Sequence, residues 1–447
     1  MSSEIHASLV RERESVDKPR WLDDARRRAP AALVLILVIA LPVLFVSRGT
    51  NSEWNDCFVT AAHHMAAREA IHHTNESYAY PPSMTFVSLP IGVLPLSWSL
   101  FAWSLVNVAA TIATFYYSWK LIGGPPLAKA SATWWGVFGL GLLLCFRWII
   151  SPLEHQQFDM VIAALITAGG WAVASGKNVR GGLLWGVAAS MKCTPLLFAP
   201  YLAWRGRWLA AVLVVVAAVG MNVLPDFVVP QASGRSYVAD WYRMFLKDVG
   251  SAAPGTWHSD LTLNQSLGGL FNRWARVGWP WSVETLEQTA LPADAARQLK
   301  LLTYGAALLL VGATAWIGGR PFRGPQSEAS GNSDQQTNLI WAAEIGAVAC
   351  LMLLLSPMSS KAHYVVLWLP SLLVAKLAIE RPSASWRILV VLLAITGTLT
   401  TKGMVGKNLG DLSLTWGFPT FFAILMLVAM WRGMRDRRDA GLKVVTT

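Results

Sequence analysis

The sequence predicts an all-α fold, a polytopic integral membrane protein of about 10–12 transmembrane or re-entrant helices. Three observations carry this reading. Of 447 residues, 54% are hydrophobic, 14% are charged and 23 are tryptophan, whereas soluble domains carry roughly a quarter charged residues. Such a chain would expose more apolar surface than water tolerates, unless lipid is its solvent. The apolar stretches come in runs of about 17 to 22 residues, enough to span a hydrocarbon core of roughly 30 Å at 1.5 Å per residue. The basic residues behind the net charge of +11 crowd into an N-terminal arm (Arg11, Arg13, Lys18, Arg20, Arg26, Arg27, Arg28) and a tail (Arg432, Arg435, Arg437, Arg438, Lys443). That distribution fits cytoplasmic ends that orient an inner-membrane protein and meet anionic headgroups, and not a nucleic-acid face.

The elements follow in order. The arm, residues 1–30, is cytoplasmic. The run 31–47 lacks a small-residue cleavage site and reads as an anchored helix, not a removed signal peptide. It leads to an external loop, 48–83. "MTFVSLPIGVLP", 84–95, is too short to cross and dips in and back. Runs 97–119, 132–150 and 158–175 then alternate inward, outward and inward. The next stretch, "GLLWGVAASMKCTPLLFAPYLAWRGRW", is read as broken at Lys192-Cys193-Thr194-Pro195 into two half-helices that re-enter from the cytoplasm. Proline and a mid-depth lysine favour the break, and non-helical backbone is tolerated there when protein surrounds it. Run 208–224 goes out to a long external loop, 225–299, and 300–318 returns to a polar linker, "GGRPFRGPQSEASGNSDQQTN". Runs 339–356, 364–380, 386–401 and 414–431 complete about ten full crossings plus two partial ones. The chain thus divides into one transmembrane domain, 31–431, and a cytoplasmic basic tail, 432–447. No sizeable soluble domain and no internal repeat is visible.

Three of the four cysteines (Cys145, Cys193, Cys350) lie within apolar stretches, and only Cys57 faces an aqueous loop. No CxxC spacing occurs, which argues against a disulfide framework or a thiolate metal site. The histidines His63-His64 and His72-His73 are dense, and His63 shares a helical face with Asp56, but no HExxH-type spacing accompanies them. No metal and no cofactor is expected.

In this topology the polar exceptions gather on the external side: Asp56, "YAYPP" (Tyr78 to Pro82), "EHQQFD" (Glu154 to Asp159), "NQS" (Asn264 to Ser266) and "KAHY" (Lys361 to Tyr364). Convergence at helix ends on one face is how a membrane enzyme with an external active site is built. These features, with the Gly-rich helix and Lys-x-Thr-Pro of "GLLWGVAASMKCTP" and the late "SPMSSKAHY", occur in an order that resembles glycosyltransferase family 87, among the multi-spanning C-type enzymes. The likeness runs from about residue 50 to 380, most of the chain. It implies transfer of a hexose, mannose or a related sugar, from a polyprenyl-phosphate donor to a lipid-linked or cell-envelope glycan acceptor outside the cytoplasm. It also implies membrane lipid but no nucleic acid as a partner, and no obligatory metal. In "SPMSSKAH" the chain departs from the family's Ser-Pro-x-Ser-Trp and paired histidines: Ser360 stands for the tryptophan and Ala362 for the first histidine.

On this resemblance Asp56 is the general base of an inverting transfer, although the same residue at a helix start also suits an N-cap. Lys361 and His363 are expected near the donor phosphate, where a cation stabilises developing charge; a lysine at a helix end also snorkels. Glu154, His155 and Gln157 suit sugar hydroxyls, with Tyr80, Asn264 and Gln265 lining the site. Arg147, charged at membrane depth, needs a partner, either Glu154 or the donor phosphate. Lys192 is expected to satisfy carbonyls at the break, on the far side from chemistry. The alternative function is a transporter or flippase of lipid-linked sugars, which would show an inverted repeat and broken helices in both halves. An oligosaccharide ligase or polymerase would take a diphosphate donor instead.

Overall fold

The computed structural model describes residues 20–72, 78–247, 254–255, 262–277, 291–319, 321–322 and 333–445. The arm up to residue 19, His73, and parts of the 225–299 loop and the 318–338 linker lie outside the described residues. Among the described residues every regular element is helical.

Helix α1 (Arg20–Arg48) ends at Gly49, whose φ of +53° turns the chain at no Cβ cost. A π-helical turn (Trp54–Val59) and α2 (Thr60–Ala66) follow. Pro82 opens α3 (Pro82–Gly92), where its missing N–H costs nothing. The 11 residues of α3 rise about 16 Å, half a bilayer. Helices α4 (Leu96–Leu121), α5 (Ala132–Glu154) and α6 (Asp159–Ala174) lead to a hairpin of α7 (Asn178–Met191) and α8 (Phe198–Trp204). Helix α9 (Trp208–Val228) precedes the short α10 (Tyr237–Trp241) and α11 (Leu267–Val277). The rest is α12 (Ala293–Gly318), α13 (Ser333–Leu354), a 3-10 turn (Lys361–Leu367) running into α14 (Trp368–Glu380), α15 (Ala384–Thr398), α16 (Lys402–Val405), α17 (Lys407–Trp416) and α18 (Phe418–Val445).

Each expected crossing has a helix at its place. Of the described helices, 6 are long and apolar enough to cross a membrane, or 7 if the pair α17 and α18, bent by 56°, counts as one span. Helices α6 and α15 are apolar but shorter. The 16 residues of α6 rise about 24 Å, and its polar first residue, Asp159, is buried in protein. Helix α13 and the segment Lys361–Glu380 form the centre, with 83% and 89% of their spans buried in protein. Helices α9 and α12, at 28% and 17%, present most of their surface outward and suit lipid contact. Where described, α1 begins within the basic arm at Arg20, and α18 continues through the basic tail to Val445.

The hairpin breaks where Lys192-Cys193-Thr194-Pro195 predicts. Helix α7 stops at Met191 and a 3-10 turn (Thr194–Leu197) reverses the chain into α8. Gly182 and Gly186 let α7 lie against α9; a Cβ there would stand 2.6 Å from the Ala210 carbonyl and 2.8 Å from that of Val214. After α8, Arg205 donates from Nε to Glu344 Oε2 at 2.9 Å and from Nη2 to the Gly318 carbonyl at 2.6 Å, while Tyr201 donates to Glu344 Oε2 at 2.9 Å. Arg205 therefore joins the end of α12 to the middle of α13. The segment is two helices joined by a turn, not one continuous helix.

Both Arg205 and Glu344 are buried. Arg205→Leu takes the cation away from a buried carboxylate, and about 3–5 kcal/mol of stability should be lost. The double variant Arg205→Leu/Glu344→Leu should recover most of it, as read by thermal unfolding in detergent.

Candidate functional site

Trp54 builds the first wall. It is buried, stacks on Trp103 of α4 with ring centroids 4.3 Å apart, tilts against Phe158, and donates from Nε1 to Ser99 Oγ at 2.9 Å. Anchoring Trp54 fixes the residue before it, Glu53. The Glu53 carboxylate accepts from the Tyr80 hydroxyl at 3.0 Å on Oε1 and from Gln157 Nε2 on Oε2. Burial holds its carboxyl above the usual carboxylate range, and those two hydrogen bonds pull the other way.

The "YAYPP" stretch is clamped from both sides. Trp241 Nε1 donates to the Ala79 carbonyl at 3.1 Å, and His72 Nε2 meets the Tyr80 carbonyl at 2.9 Å. Phe58 packs against the rings of Tyr78, Tyr80 and Phe158. The α5–α6 turn contributes His155 and Gln157 through Gln156, a non-glycine residue at φ +59°. Such a conformation persists only where its surroundings fix it. Here Trp103 Nε1 donates to the Gln156 carbonyl at 2.8 Å, and Gln156 Nε2 donates to the Phe45 carbonyl at 3.2 Å.

The wall at 356–363 is held from behind. Asn264 Nδ2 donates to the Pro357 carbonyl at 2.8 Å, the Ser359 N–H donates to Asn264 Oδ1 at 3.2 Å, and the Gln265 N–H donates to the Ser359 carbonyl at 2.6 Å. His363 Nδ1 accepts from the Ser360 N–H at 3.2 Å, closing a capping box at the start of the 3-10 turn. The hairpin tip brings in Lys192, whose Nζ donates to Asp159 Oδ1 at 2.7 Å.

These segments enclose a cavity of about 380 Å³, the size of a small-ligand site. Glu53, Tyr80, His155, Gln157, Lys192, Lys361 and His363 line it. Several sequence-based expectations change here. Asp56 is not brought to the cavity: it is exposed and accepts from Asn55 Nδ2 at 3.0 Å. The wider π-helical turn carries it away from the side that Glu53 occupies. Glu154 is also outside, drawn to Arg48 at 3.7 Å and Arg147 at 3.8 Å, so Arg147 takes Glu154 as its partner and does not reach the cavity. Asn264 and Gln265 are fully buried behind the wall and do not line it. Lys192 moves the opposite way, from a carbonyl-satisfying role to the cavity wall. Among the described residues no group of three or more His, Cys, Asp or Glu is arranged to hold a metal ion. Glu53 had one signal in the sequence, a carboxylate beside a tryptophan in the same loop; Lys192 had another, a charge at a break in an apolar hairpin.

Comparison with known proteins gives four likenesses. The model for glycosyltransferase family 87 matches residues 78–331, more than half the chain. The polyprenol-phosphate-mannose-dependent alpha-(1-2)-phosphatidylinositol pentamannoside mannosyltransferase of Mycobacterium tuberculosis is 30% identical over 200 residues, 44% of this chain and 42% of that protein. The protein of the same name from Mycolicibacterium smegmatis is 27% identical over 197 residues, 44% of each chain. The match thus spans less than half the length of either relative. The crystal structure of ArnT from Cupriavidus metallidurans bound to undecaprenyl phosphate aligns with a TM-score of 0.41 and 14% identity, covering 93% of this chain and 80% of that one.

Cys193 is the exposed thiol of the four and lines the cavity, whereas Cys57, Cys145 and Cys350 are buried. A maleimide added to the folded protein should therefore label Cys193 and spare the others. Peptide mass spectrometry reads this directly, and faster labelling at any buried position would contradict the packing.

Proposed function

The chain belongs to glycosyltransferase family 87, and on that premise we propose that it is a membrane mannosyltransferase. It moves mannose from a polyprenyl-phosphate donor to a glycolipid or cell-envelope glycan acceptor. The names of its relatives support that donor and a lipid-borne acceptor. The observation that carries the chemistry is Glu53, a single carboxylate in the cavity wall, oriented by Tyr80 and Gln157. An acceptor hydroxyl is a poor nucleophile until its proton leaves. Glu53 takes that proton as the hydroxyl oxygen bonds to the anomeric carbon. The bond from that carbon to the phosphate oxygen breaks on the opposite face, polyprenyl phosphate leaves with the electron pair, and the configuration inverts.

The leaving group departs as an anion, so it needs positive charge more than a proton. One carboxylate therefore suffices, unlike the pair a glycosidase uses. Lys361 lines the cavity and has no ion-pair partner among the described residues, which fits it to receive the phosphate. His363 holds the lysine's turn in place through its capping box, and His155 faces the same space. The cavity opens away from the cytoplasm at the inner membrane in this reading. Arg205, paired at the opposite end, and the neighbouring Arg207 support that orientation under the positive-inside rule.

The test uses purified protein in nanodiscs with polyprenyl-phosphate mannose and a membrane-lipid extract as acceptor. Glu53→Gln should lower kcat roughly 10²–10⁴-fold, while Asp56→Asn should transfer at the wild-type rate. The reverse result would return the base to Asp56, and lipid translocation without transfer would make the protein a flippase. The pH profile gives a second test. A base works ionised, and burial raises the Glu53 pKa, so kcat/KM should climb with pH along an acid limb above the ordinary 4.5. The Gln157 hydrogen bond lowers that pKa, so Gln157→Ala should move the limb to still higher pH.

A further inference from the structure

We infer that the Asp159–Lys192 pair, with the recess it walls, seats one hydroxyl of the donor sugar and so selects the sugar. This deepens the glycosyl-transfer reading above and rests on it. The recess measures about 10 Å³ and adjoins the main cavity, sharing Lys192, Thr194, Ser356 and His363 with it and adding Asp159 and Ser359 beside four apolar side chains. That is room for about one oxygen atom. A phosphate or a sugar ring is too large, and the Asp159 carboxylate would repel an anion. A hydroxyl fits both limits.

The chemistry is matched as well as the size. Lys192 spends one N–H on Asp159 Oδ1 at 2.7 Å, and an ammonium has three. A carboxylate accepts at two oxygens, and a hydroxyl both donates and accepts. One sugar hydroxyl can therefore accept from Lys192 and donate to Asp159. Both partners are fixed before any ligand arrives. Lys192 stands on the hairpin tip, whose far end Arg205 ties to Glu344, and Asp159 begins α6 directly after the constrained Gln156 turn. Buried polar groups left unpaired by a missing hydroxyl are what make such a site discriminate. A water of the same size can replace that oxygen, so the expected penalty is about 10²-fold, below the largest known for hydroxyl-reading sites.

The experiment compares kcat/KM of the full-length protein in nanodiscs for polyprenyl-phosphate mannose and for the monodeoxy donors at each ring position. One deoxy donor should fall about 10²-fold in the wild type, the others only slightly. In Asp159→Asn and Lys192→Met, mannose itself should fall, and the penalty on that one deoxy donor should collapse. Protection of Cys193 from alkylation by each donor reads binding without turnover and should follow the same pattern. The inference is overturned if the wild type treats all deoxy donors alike, which needs no variant to fold, or if the penalty survives in both variants. If no donor is turned over and none protects Cys193, the glycosyl-transfer reading fails instead.

Discussion

An ionised side chain withdrawn from water costs several kcal/mol unless the protein answers it at close range. In a chain that is mostly apolar, this constraint decides where charge can stand and therefore where a site can form. Lys192 sits at the end of α7 only because Asp159 meets its ammonium there. Arg205 turns at the other end of the same hairpin only because Glu344 and the Gly318 carbonyl receive it. Each pair joins segments far apart in sequence, so satisfying the charge also fixes the packing. The cavity lies beside the first of these pairings, where Lys192, Glu53, Gln157 and Lys361 border open space.

Glu53 shows the same constraint at work on reactivity. Its position is set by an apolar stack, Trp54 on Trp103 beside Phe158, and its orientation by two polar neighbours. Dry surroundings make the carboxylate reluctant to ionise and hence a keener proton acceptor, while Tyr80 and Gln157 keep it ionisable. The rigid aromatic floor and the polar rim thus contribute separate properties, placement and basicity.

The helices were readable from the sequence because hydrophobic run length is a local property, and so was the break at Lys192, where lysine and proline contradict a continuous span. The convergence of "YAYPP", "EHQQFD" and "KAHY" on one end followed from alternating the crossings. What failed to show was side-chain direction over a turn or two. Asp56 and Glu53 are three residues apart, and only the π-helical turn between them, fixed by tertiary stacking of Trp54, decides which faces the cavity. Asn264 and Gln265 read as site lining for a similar reason: a buried amide bracing a loop and one touching a ligand have the same composition and position. Glu154 was drawn off by Arg48 and Arg147, a pairing that depends on how α1 and α5 end in space.

The Arg205–Glu344 clamp has a consequence for biogenesis. Its two members are 139 residues apart, so the ribosome delivers the arginine long before its carboxylate exists. Until α13 is inserted, Arg205 is an unanswered cation and is held at the water boundary by hydration. A cation so placed, with Arg207 beside it, is the kind of charge that the positive-inside rule reads during insertion. Once Glu344 arrives, the same guanidinium is drawn in and locks the finished bundle. One residue thus answers to water while the chain is being made and to Glu344 in the finished bundle.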